Sequence, residues 1–318
     1  MNVITSLKIA LFRSLLLLVV LCIVLTTVGA AQASAAKTCQ EFFTSPEEAV
    51  QRLIAAVQGN DRKELLTILG PGSQPIVSSG DRVADRNVGE WFVKLYEEKQ
   101  QIEGADTGRA ILIIGNEEHR FPVPIVKRGN SWCFDAKAGR EELLNRRIGR
   151  NELEVIELLR DYADAQREYA AKDRDGDGVT QFARKFRSTP GRKDGLYWET
   201  KEGEEESPFG PLAARAAQEG YLKGKSASPA PFHGYYFKIL KAQGAHAEGG
   251  AFDYVVNDRM ILGFALVAYP ARYGVSGIMT FIVNQNGVIH QRDLGSKTIT
   301  IAARMKLYDP DPGWKKAE

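Results

Sequence analysis

The stretch from Gly139 to Lys172 constrains the fold more than any other part of this chain. It contains no proline, and Gly149 is its one internal glycine. Apolar residues recur along it at helical spacing, which predicts a long amphipathic helix that Gly149 bends or divides in two. These apolar residues include Leu143, Leu144, Ile148, Leu153, Ile156, Leu159, Tyr162 and Tyr169. A helix this long, over residues 138–172, predicts separate blocks of structure before and after it.

The block before the helix, residues 37–137, changes its hydrophobic period partway along. Ser45-Pro46 and Asp61 are typical helix starts, and a third helical pattern runs from Trp91 to Tyr96. Short β-rich runs follow at 110–114, 120–127 and 132–135, with Gly-Asn turns between them. Helices followed by a meander predict an α+β subdomain with an antiparallel sheet.

The block after the helix, residues 173–318, is rich in strands. We expect strands over 235–240, 264–269, 277–284 and 287–293, and a further one over 299–308. Gln285-Asn286-Gly287 is a strong hairpin signal between two of them. A short helix is expected to end near Phe186, and an Ala-rich helix is expected over 213–219. The whole chain is therefore predicted to be α+β.

The N-terminus has the pattern of a secretory signal over residues 1–36. Lys8 and Arg13 precede the apolar run from Leu15 to Val28, and small-residue cleavage sites follow at 31–33 and 33–35. An uncleaved anchor is the alternative, but the apolar run is shorter than the roughly 20 residues that a membrane span needs. We expect a bacterial protein that is periplasmic or secreted, with no stable span after cleavage.

Charge and cysteine content limit the partners and the covalent chemistry. The formal net charge is +2, and Lys8 and Arg13 carry the only charges in residues 1–36, so the mature chain is neutral. Nucleic-acid binding needs a basic surface, so no nucleic-acid partner is expected. Cys39 and Cys133 remain after cleavage, and in an oxidising compartment they form a candidate disulfide. Two separately buried thiols are the alternative.

A calcium-loop motif follows the predicted helix directly, at 173–178. Asp173, Asp175 and Asp177 occupy the first, third and fifth positions of a D-x-D-x-D-G loop, with Gly178 at the sixth. The Val179 carbonyl and Gln181 would complete the candidate ligands at the seventh and ninth positions. The twelfth position, which should be a bidentate glutamate, is Arg184. The alternatives are a structural calcium site, with Asp194 or one of residues 204–206 lending a carboxylate, and a polar turn without metal.

Several strings in the second half resemble the domain of unknown function 2950 family (DUF2950). They are 232–240 (FHGYYFKIL), 263–270 (GFALVAYP), 273–274 (YG), 279–284 (MTFIVN), and, earlier in the chain, 173–178 (DRDGDG), 188–191 (STPG) and 194–198 (DGLYW). The resemblance covers most of the mature chain. It implies an exported bacterial protein without an assigned activity.

Two looser resemblances concern the separate halves. The C-terminal half is similar to the soluble heads of type IV pilins and pseudopilins, through Gln166, Tyr169, Gly234-Tyr235 and the Gly287 to Ile289 hairpin. The chain lacks a prepilin cleavage site and its long helix is internal, so assembly into a pilus is not implied. The order of helices and strands over 37–137 resembles the nuclear-transport-factor-2-like folds, whose functions are too varied to imply one here.

Catalytic signals are few. The sequence has no Gly-x-Ser-x-Gly elbow, no His-Glu-x-x-His and no phosphate loop. His233 is the one weak catalytic candidate, with His290, Asp253 or Ser276 as partners, against a structural role for its ring. The first hypothesis is a non-enzymatic binding or assembly component of the cell envelope with a protein partner. The second is a periplasmic hydrolase that uses His233 in a cleft between the halves.

Overall fold

A computed structural model describes residues 40–174, 176–201, 203–219, 221 and 230–317. The leader, Cys39 and Asp175 lie outside the described residues, so the predictions made for them stand as predictions. The described residues all belong to one compact unit. Within these residues, no helix has the length and apolar character needed to cross a membrane.

Helices and antiparallel sheets form two blocks, one before and one after a long helix, which confirms the predicted α+β fold. The helices are α1 (Pro46–Gln58), α2 (Arg62–Leu69), α3 (Gln74–Val77), α4 (Arg82–Glu98), α5 (Ala136–Ala170), α6 (Gly210–Gln218) and α7 (Thr298–Arg304). The strands before α5 are β1 (Gln100–Glu103), β2 (Arg109–Ile114), β3 (His119–Arg120), β4 (Ile125–Arg128) and β5 (Ser131–Phe134). The strands after α6 are β6 (Tyr235–Leu240), β7 (Ala242–Gln243), β8 (Phe252–Asp253), β9 (Val255–Val256), β10 (Arg259–Met260), β11 (Ala265–Pro270), β12 (Met279–Asn284), β13 (His290–Asp293), β14 (Leu307–Tyr308) and β15 (Lys315–Lys316).

The N-terminal sheet is antiparallel, in the order β1-β2-β4-β5, with β3 also paired to β2. Side-chain caps begin the helices that cover it: Ser45 accepts a hydrogen bond from the amide of Glu48, and Asp61 accepts one from Glu64. Apolar residues of α1 and of strands β2 and β5 meet in a first core, which includes Leu53, Ile54, Leu112, Ile114 and Phe134.

The C-terminal block is built on an antiparallel sheet in the order β15-β13-β12-β11-β6. A smaller sheet, β14-β7-β8, contains a parallel pair between β14 and β7. The central strand β12 and its neighbour β11 are almost wholly buried, and they supply Val267, Phe281 and Ile282 to a second core. Helix α5 covers this core with Val155 and Leu159, both fully buried.

Helix α5 runs unbroken through Gly149 and takes part in both cores. Its N-cap is Asp135, whose carboxylate accepts a hydrogen bond from the amide of Ala138 at 3.2 Å. Ala136, at its start, belongs to the first core, whereas residues from Val155 to Tyr169 belong to the second. The helix is therefore not divided at Gly149, which was one of the two expected outcomes.

Two of the predicted elements are wrong. The segment that ends near Phe186 is not helical, because its backbone groups bond to distant partners: the amide of Phe182 donates to Met260, and Ala183 exchanges two hydrogen bonds with the Gln166 side chain. The expected strand over 299–308 is mostly α7. Ala302 is fully buried there, and the Lys238 ammonium donates to the carbonyls of Ala303 and Met305 at 2.7 Å.

The two glycines of α5 are expected to respond oppositely to alanine. A Cβ at Gly149 would meet nothing within 4 Å, so Gly149→Ala should stabilise the protein by about 1 kcal/mol through helix propensity. A Cβ at Gly139 would lie 2.5 Å from the Pro122 carbonyl oxygen and 2.7 Å from the Val123 Cα, so Gly139→Ala should destabilise it. Urea unfolding of both variants measures the difference. A destabilising Gly149→Ala would mean that α5 is not continuous there.

Candidate functional site

A buried carboxylate lies between the two blocks of structure. Asp81 follows Ser79-Gly80 and is only 1% exposed. Its Oδ1 accepts hydrogen bonds from the amides of Val83 and Ala84, both at 3.0 Å, and so caps α4. Its Oδ2 accepts from the Tyr221 hydroxyl at 2.8 Å and from the amide of Gly234 at 2.9 Å. One carboxylate therefore fixes a helix of the first block to the start of β6 in the second.

His233 lies beside this carboxylate in a left-handed backbone conformation, with a φ of 48°. Its amide donates to the Tyr221 hydroxyl at 3.2 Å, and its ring packs edge-to-face on Phe232 with the centroids 4.2 Å apart. Its Nε2 lies 3.2 Å from Oε2 of Glu219, although the angle does not make a hydrogen bond. The His233 side chain is 15% exposed, so this is a mostly buried histidine–carboxylate pair.

The three partners named from the sequence do not bond the His233 ring. Ser276 packs close to Gly234, but its hydroxyl accepts from the amide of Arg272 and donates to the Arg272 carbonyl. His290 is 3.2 Å from the Tyr308 hydroxyl, and Asp253 is exposed on β8. The partner in the structure is Glu219. Sequence reasoning missed it, because nothing along the chain indicates which of many carboxylates folds back onto one histidine.

Further polar contacts extend this junction along α5. Asn151 donates to the carbonyl of Ser276 at 2.9 Å. The Glu152 Oε1 atom accepts from the amides of Ile278 and Met279 at 2.8 and 2.9 Å. Arg147 donates to the carbonyls of Pro75 and Ile76, both at 2.6 Å. Arg272 in turn donates to the carbonyl of Ser78 at 2.6 Å. We call the residues Asp81, Arg147, Asn151, Glu152, Tyr221, His233 and Arg272 the polar junction.

Burial shifts the pKa values of several groups in the polar junction and of Asp85, whose charge acts on Arg147. It raises the pKa of Asp85 and lowers the pKa of Arg147, and it raises the pKa of Tyr221, with the Asp81 charge adding to that rise. Burial also lowers the pKa of His233, and the positive charge of Arg215 lowers it further. The negative charges of Glu219, Glu154 and Asp81 raise this pKa, but they offset only part of the decrease. Groups with shifted pKa values cluster at functional sites and also in structural ion-pair networks. The contacts that each group makes therefore have to distinguish a functional role from a structural one.

The pKa shift of His233 predicts a pH-dependent stability. Because the folded-state pKa lies below the unfolded value of about 6.5, the contribution is fully present above that pH and is lost as the pH falls toward the folded-state pKa. We expect the free energy of unfolding to decrease as the pH is lowered from about 6.5. The decrease should be smaller in His233→Gln. Chemical unfolding at several pH values measures it, with His119→Gln as the control. An unchanged slope in His233→Gln would contradict the assignment.

In the central loop, two of the predicted ligand carboxylates already form hydrogen bonds within the protein. Asp173 accepts hydrogen bonds from the amides of Gly176 and Gly178, both at 2.8 Å, so the loop curls around its first residue. Asp177 accepts from the amide of Val179 at 3.0 Å and pairs with Arg259 at 2.6 Å. Arg184, at the twelfth position, pairs with Asp258. In the part of the chain that the structure describes, no three acidic, histidine or cysteine side chains gather to hold a metal.

Two of the carboxylates expected to complete that loop, those of Asp194 and Glu205, are engaged elsewhere. Asp194 accepts hydrogen bonds from Lys185 and from both the amide and the hydroxyl of Thr189. Glu205 pairs with Lys172, Arg174 and Lys193. The predicted ligands Val179 and Gln181 lie on the C-terminal side of the loop, and Gln181 lines a neighbouring cavity.

Two cavities open beside residues 188–194, which we call the STPG loop. One of about 560 Å³ is lined by Tyr169, Arg174, Arg184, Lys185 and Asp194 among others. The second, of about 360 Å³, is lined by residues that include Arg187, Trp198, Glu199 and Glu204. Gly191, Arg192 and Lys193 line both, so the STPG loop forms their common wall.

The candidate disulfide remains a prediction. Cys133 lies on β5 and is 1% exposed, whereas Cys39 lies outside the described residues. Alkylation of the unfolded protein with and without reductant, followed by mass spectrometry, distinguishes a bonded pair from two thiols.

The fold and site define an α+β protein with two cores, a polar junction between them and a cation-lined cavity. The chain belongs to the family described as a protein of unknown function (DUF2950), whose model matches residues 40–317. This confirms the resemblance drawn from strings such as 232–240. No curated protein and no solved structure matches the chain. The pilin-head and nuclear-transport-factor-2-like resemblances therefore stay predictions.

Proposed function

We propose that this chain is an exported protein of the bacterial cell envelope, periplasmic or secreted, that binds a ligand or an envelope protein and catalyses no reaction. Lys8, Arg13 and the apolar run that follows them support export. The neutral charge of the mature chain favours such a partner over nucleic acid.

One observation carries the binding role: the two cavities share a hydrogen-bonded wall, the STPG loop. The Asp194 side chain accepts hydrogen bonds from the Thr189 amide and hydroxyl at 2.7 and 2.9 Å, which closes this loop on itself. Ser188 and Gly195 add two more hydrogen bonds across its base. A cavity of about 560 Å³ is in the range of small-ligand sites, and a preformed wall lowers the entropic cost of binding. By contrast, the charged side chains of Asp81, Arg147, Glu152 and Arg272 bond to backbone groups of distant segments.

Protein-observed NMR with sugars, sugar phosphates, amino acids and short peptides as titrants tests this proposal. In parallel, chromogenic ester, phosphoester, glycoside and peptide substrates are assayed for turnover. We expect saturable binding that shifts backbone resonances of residues 185–194, and no turnover. Turnover that is lost in His233→Asn would contradict the binding role.

The second candidate is a periplasmic hydrolase that uses His233 between the two blocks. The pair of His233 and Glu219, with the ring nitrogen 3.2 Å from the carboxylate, is the observation that favours it. A histidine held by a carboxylate is the arrangement of a general base. If this candidate holds, His233→Asn and Glu219→Gln each abolish turnover while leaving the melting temperature of the protein high enough for assay.

We further propose that the loop at 173–178 takes calcium as a structural ion. The spacing of Asp173, Asp175 and Asp177 supports it, as do the two amides that curl the loop around Asp173. The pairs of Asp177 with Arg259 and of Arg184 with Asp258 would have to open for the ion.

Thermal unfolding with millimolar calcium and with chelator tests the calcium proposal. A ligand that binds only the native state raises its stability, so calcium should raise the melting temperature, and Asp175→Ala should remove the effect. Asp106→Ala, on an exposed turn of the first block, is the matched control. An identical melting temperature with calcium and with chelator would refute the proposal.

A further inference from the structure

The cavity of about 560 Å³ has a strongly cationic lining. Five of its lining residues are cations, namely Arg174, Arg184, Lys185, Arg192 and Lys193, against the one carboxylate of Asp194. Lys185 contacts that carboxylate at 2.6 Å, and with the Thr189 hydrogen bonds it outweighs burial and lowers the pKa of Asp194 to about 2. The single acid is therefore ionised and already paired at neutral pH, so it does not balance the other four cations.

Those cations differ in how much of their charge is already paired. Arg184 pairs with Asp258, and Lys193 lies 3.3 Å from Glu205. Arg192 is exposed and forms no ion pair with any residue that the structure describes. It lies at the crest of the STPG loop, where its amide donates to the carbonyl of Thr189 at 2.9 Å, and it borders both cavities.

Arg174 provides a fixed cation deeper in the lining. Its side chain is 4% exposed, and its guanidinium lies over the rings of Tyr169 and Trp198, 5.5 and 5.2 Å from their centroids. Its Nη1 atom is 3.0 Å from Glu205, but the angle to that carboxylate is poor, and no described residue accepts a hydrogen bond from it. A buried guanidinium nitrogen without an acceptor is costly unless a ligand oxygen satisfies it.

We propose that this cavity binds a small molecule through a phosphate group, with Arg192 as its principal contact and Arg174 and Lys193 beside it. Guanidinium groups suit phosphate because their planar donors match pairs of its oxygens. Tyr169 and Phe182 line the same cavity, and their rings offer apolar surface for the uncharged part of the ligand. The inference rests on the proposed binding function and names the ligand class for that site.

Isothermal titration at constant ionic strength tests this, with protein produced from the full coding sequence. The probes are inorganic phosphate, glycerol 3-phosphate, glucose 1-phosphate and uncharged glucose. We expect the phosphate probes to bind, with the organic phosphates tighter than inorganic phosphate. Loss of a charge-assisted hydrogen bond in Arg192→Gln should weaken binding by about tenfold to a hundredfold. Arg128→Gln, an exposed arginine of β4, is the control and should bind as the wild type does.

The outcomes separate this inference from the proposed function. Equal affinity in Arg192→Gln, or no binding of any phosphate probe, overturns the phosphate site. If glucose binds as well as glucose 1-phosphate at the STPG loop, the phosphate inference fails and the binding function stands. If inorganic phosphate binds as tightly as both organic phosphates, the uncharged part of the ligand contributes nothing to binding. The cavity is then a site for the free phosphate ion. Hydrolysis of a phosphate probe would instead contradict the non-enzymatic function.

Discussion

Asp81→Ala is expected to lower the free energy of unfolding by about 3–7 kcal/mol. The substitution removes the cap of α4, and it also leaves the buried Tyr221 hydroxyl and the Gly234 amide without an acceptor. Loss of a helix cap costs about 1 kcal/mol, and each buried donor left unsatisfied costs about 1–3 kcal/mol. Urea unfolding followed by circular dichroism measures the change.

Asp61→Ala is the matched control for that substitution. Asp61 caps α2 through the Glu64 amide at 3.0 Å, but it is exposed and makes no bond to the second block. Its loss should cost only about 1 kcal/mol. Equal effects of the two substitutions would show that Asp81 is only a helix cap and that its contacts to Tyr221 and Gly234 contribute nothing.

Glu152→Ala is expected to cost about 2–3 kcal/mol, the second largest effect. One oxygen of this carboxylate accepts hydrogen bonds from the amides of Ile278 and Met279, where β12 begins. A carboxylate that accepts backbone amides makes stronger bonds than a neutral acceptor, and alanine would leave both donors unpaired beside the buried Tyr235 hydroxyl.

Glu142→Ala controls for the loss of a charge on the same helix. Glu142 is exposed on α5 and pairs with Arg146 one turn away, which is worth at most about 0.5 kcal/mol. Hydrogen exchange at the Ile278 and Met279 amides gives a local readout, because Glu152→Ala should speed exchange there before it does so in β2. If Glu152→Ala costs no more than Glu142→Ala, the contact between α5 and β12 is not a stabilising one.

Much of the fold follows from local sequence signals. Ser45, Asp61 and the run after Gly139 place α1, α2 and α5 to within a few residues, because caps and a period of 3.6 act within single helices. The strand over 235–240 is also found as predicted. The failures occur where distant contacts decide: Gln166 holds Ala183 in an extended segment, and burial of Ala302 makes a helix from a β-branched run.

The candidate site was less predictable than the fold. The sequence placed His233 before an aromatic strand but offered no means of finding Glu219, which reaches its ring, or Asp81, which bonds to the amide of the next residue. The Asp/Gly loop was visible because its spacing is local. The cationic cavity was not, because Arg174 and Arg192 come together only when the STPG loop packs beside the end of α5.

The central claim is that the polar junction joins both cores into one cooperative unit, so that its ionisable side chains serve structure. Native-state hydrogen exchange at increasing urea tests this most directly, by comparing the amides of α1 in the first core with those of β12 in the second. The account predicts that both sets open with the same free energy and the same dependence on urea. Two separate opening reactions, one for each core, would contradict it.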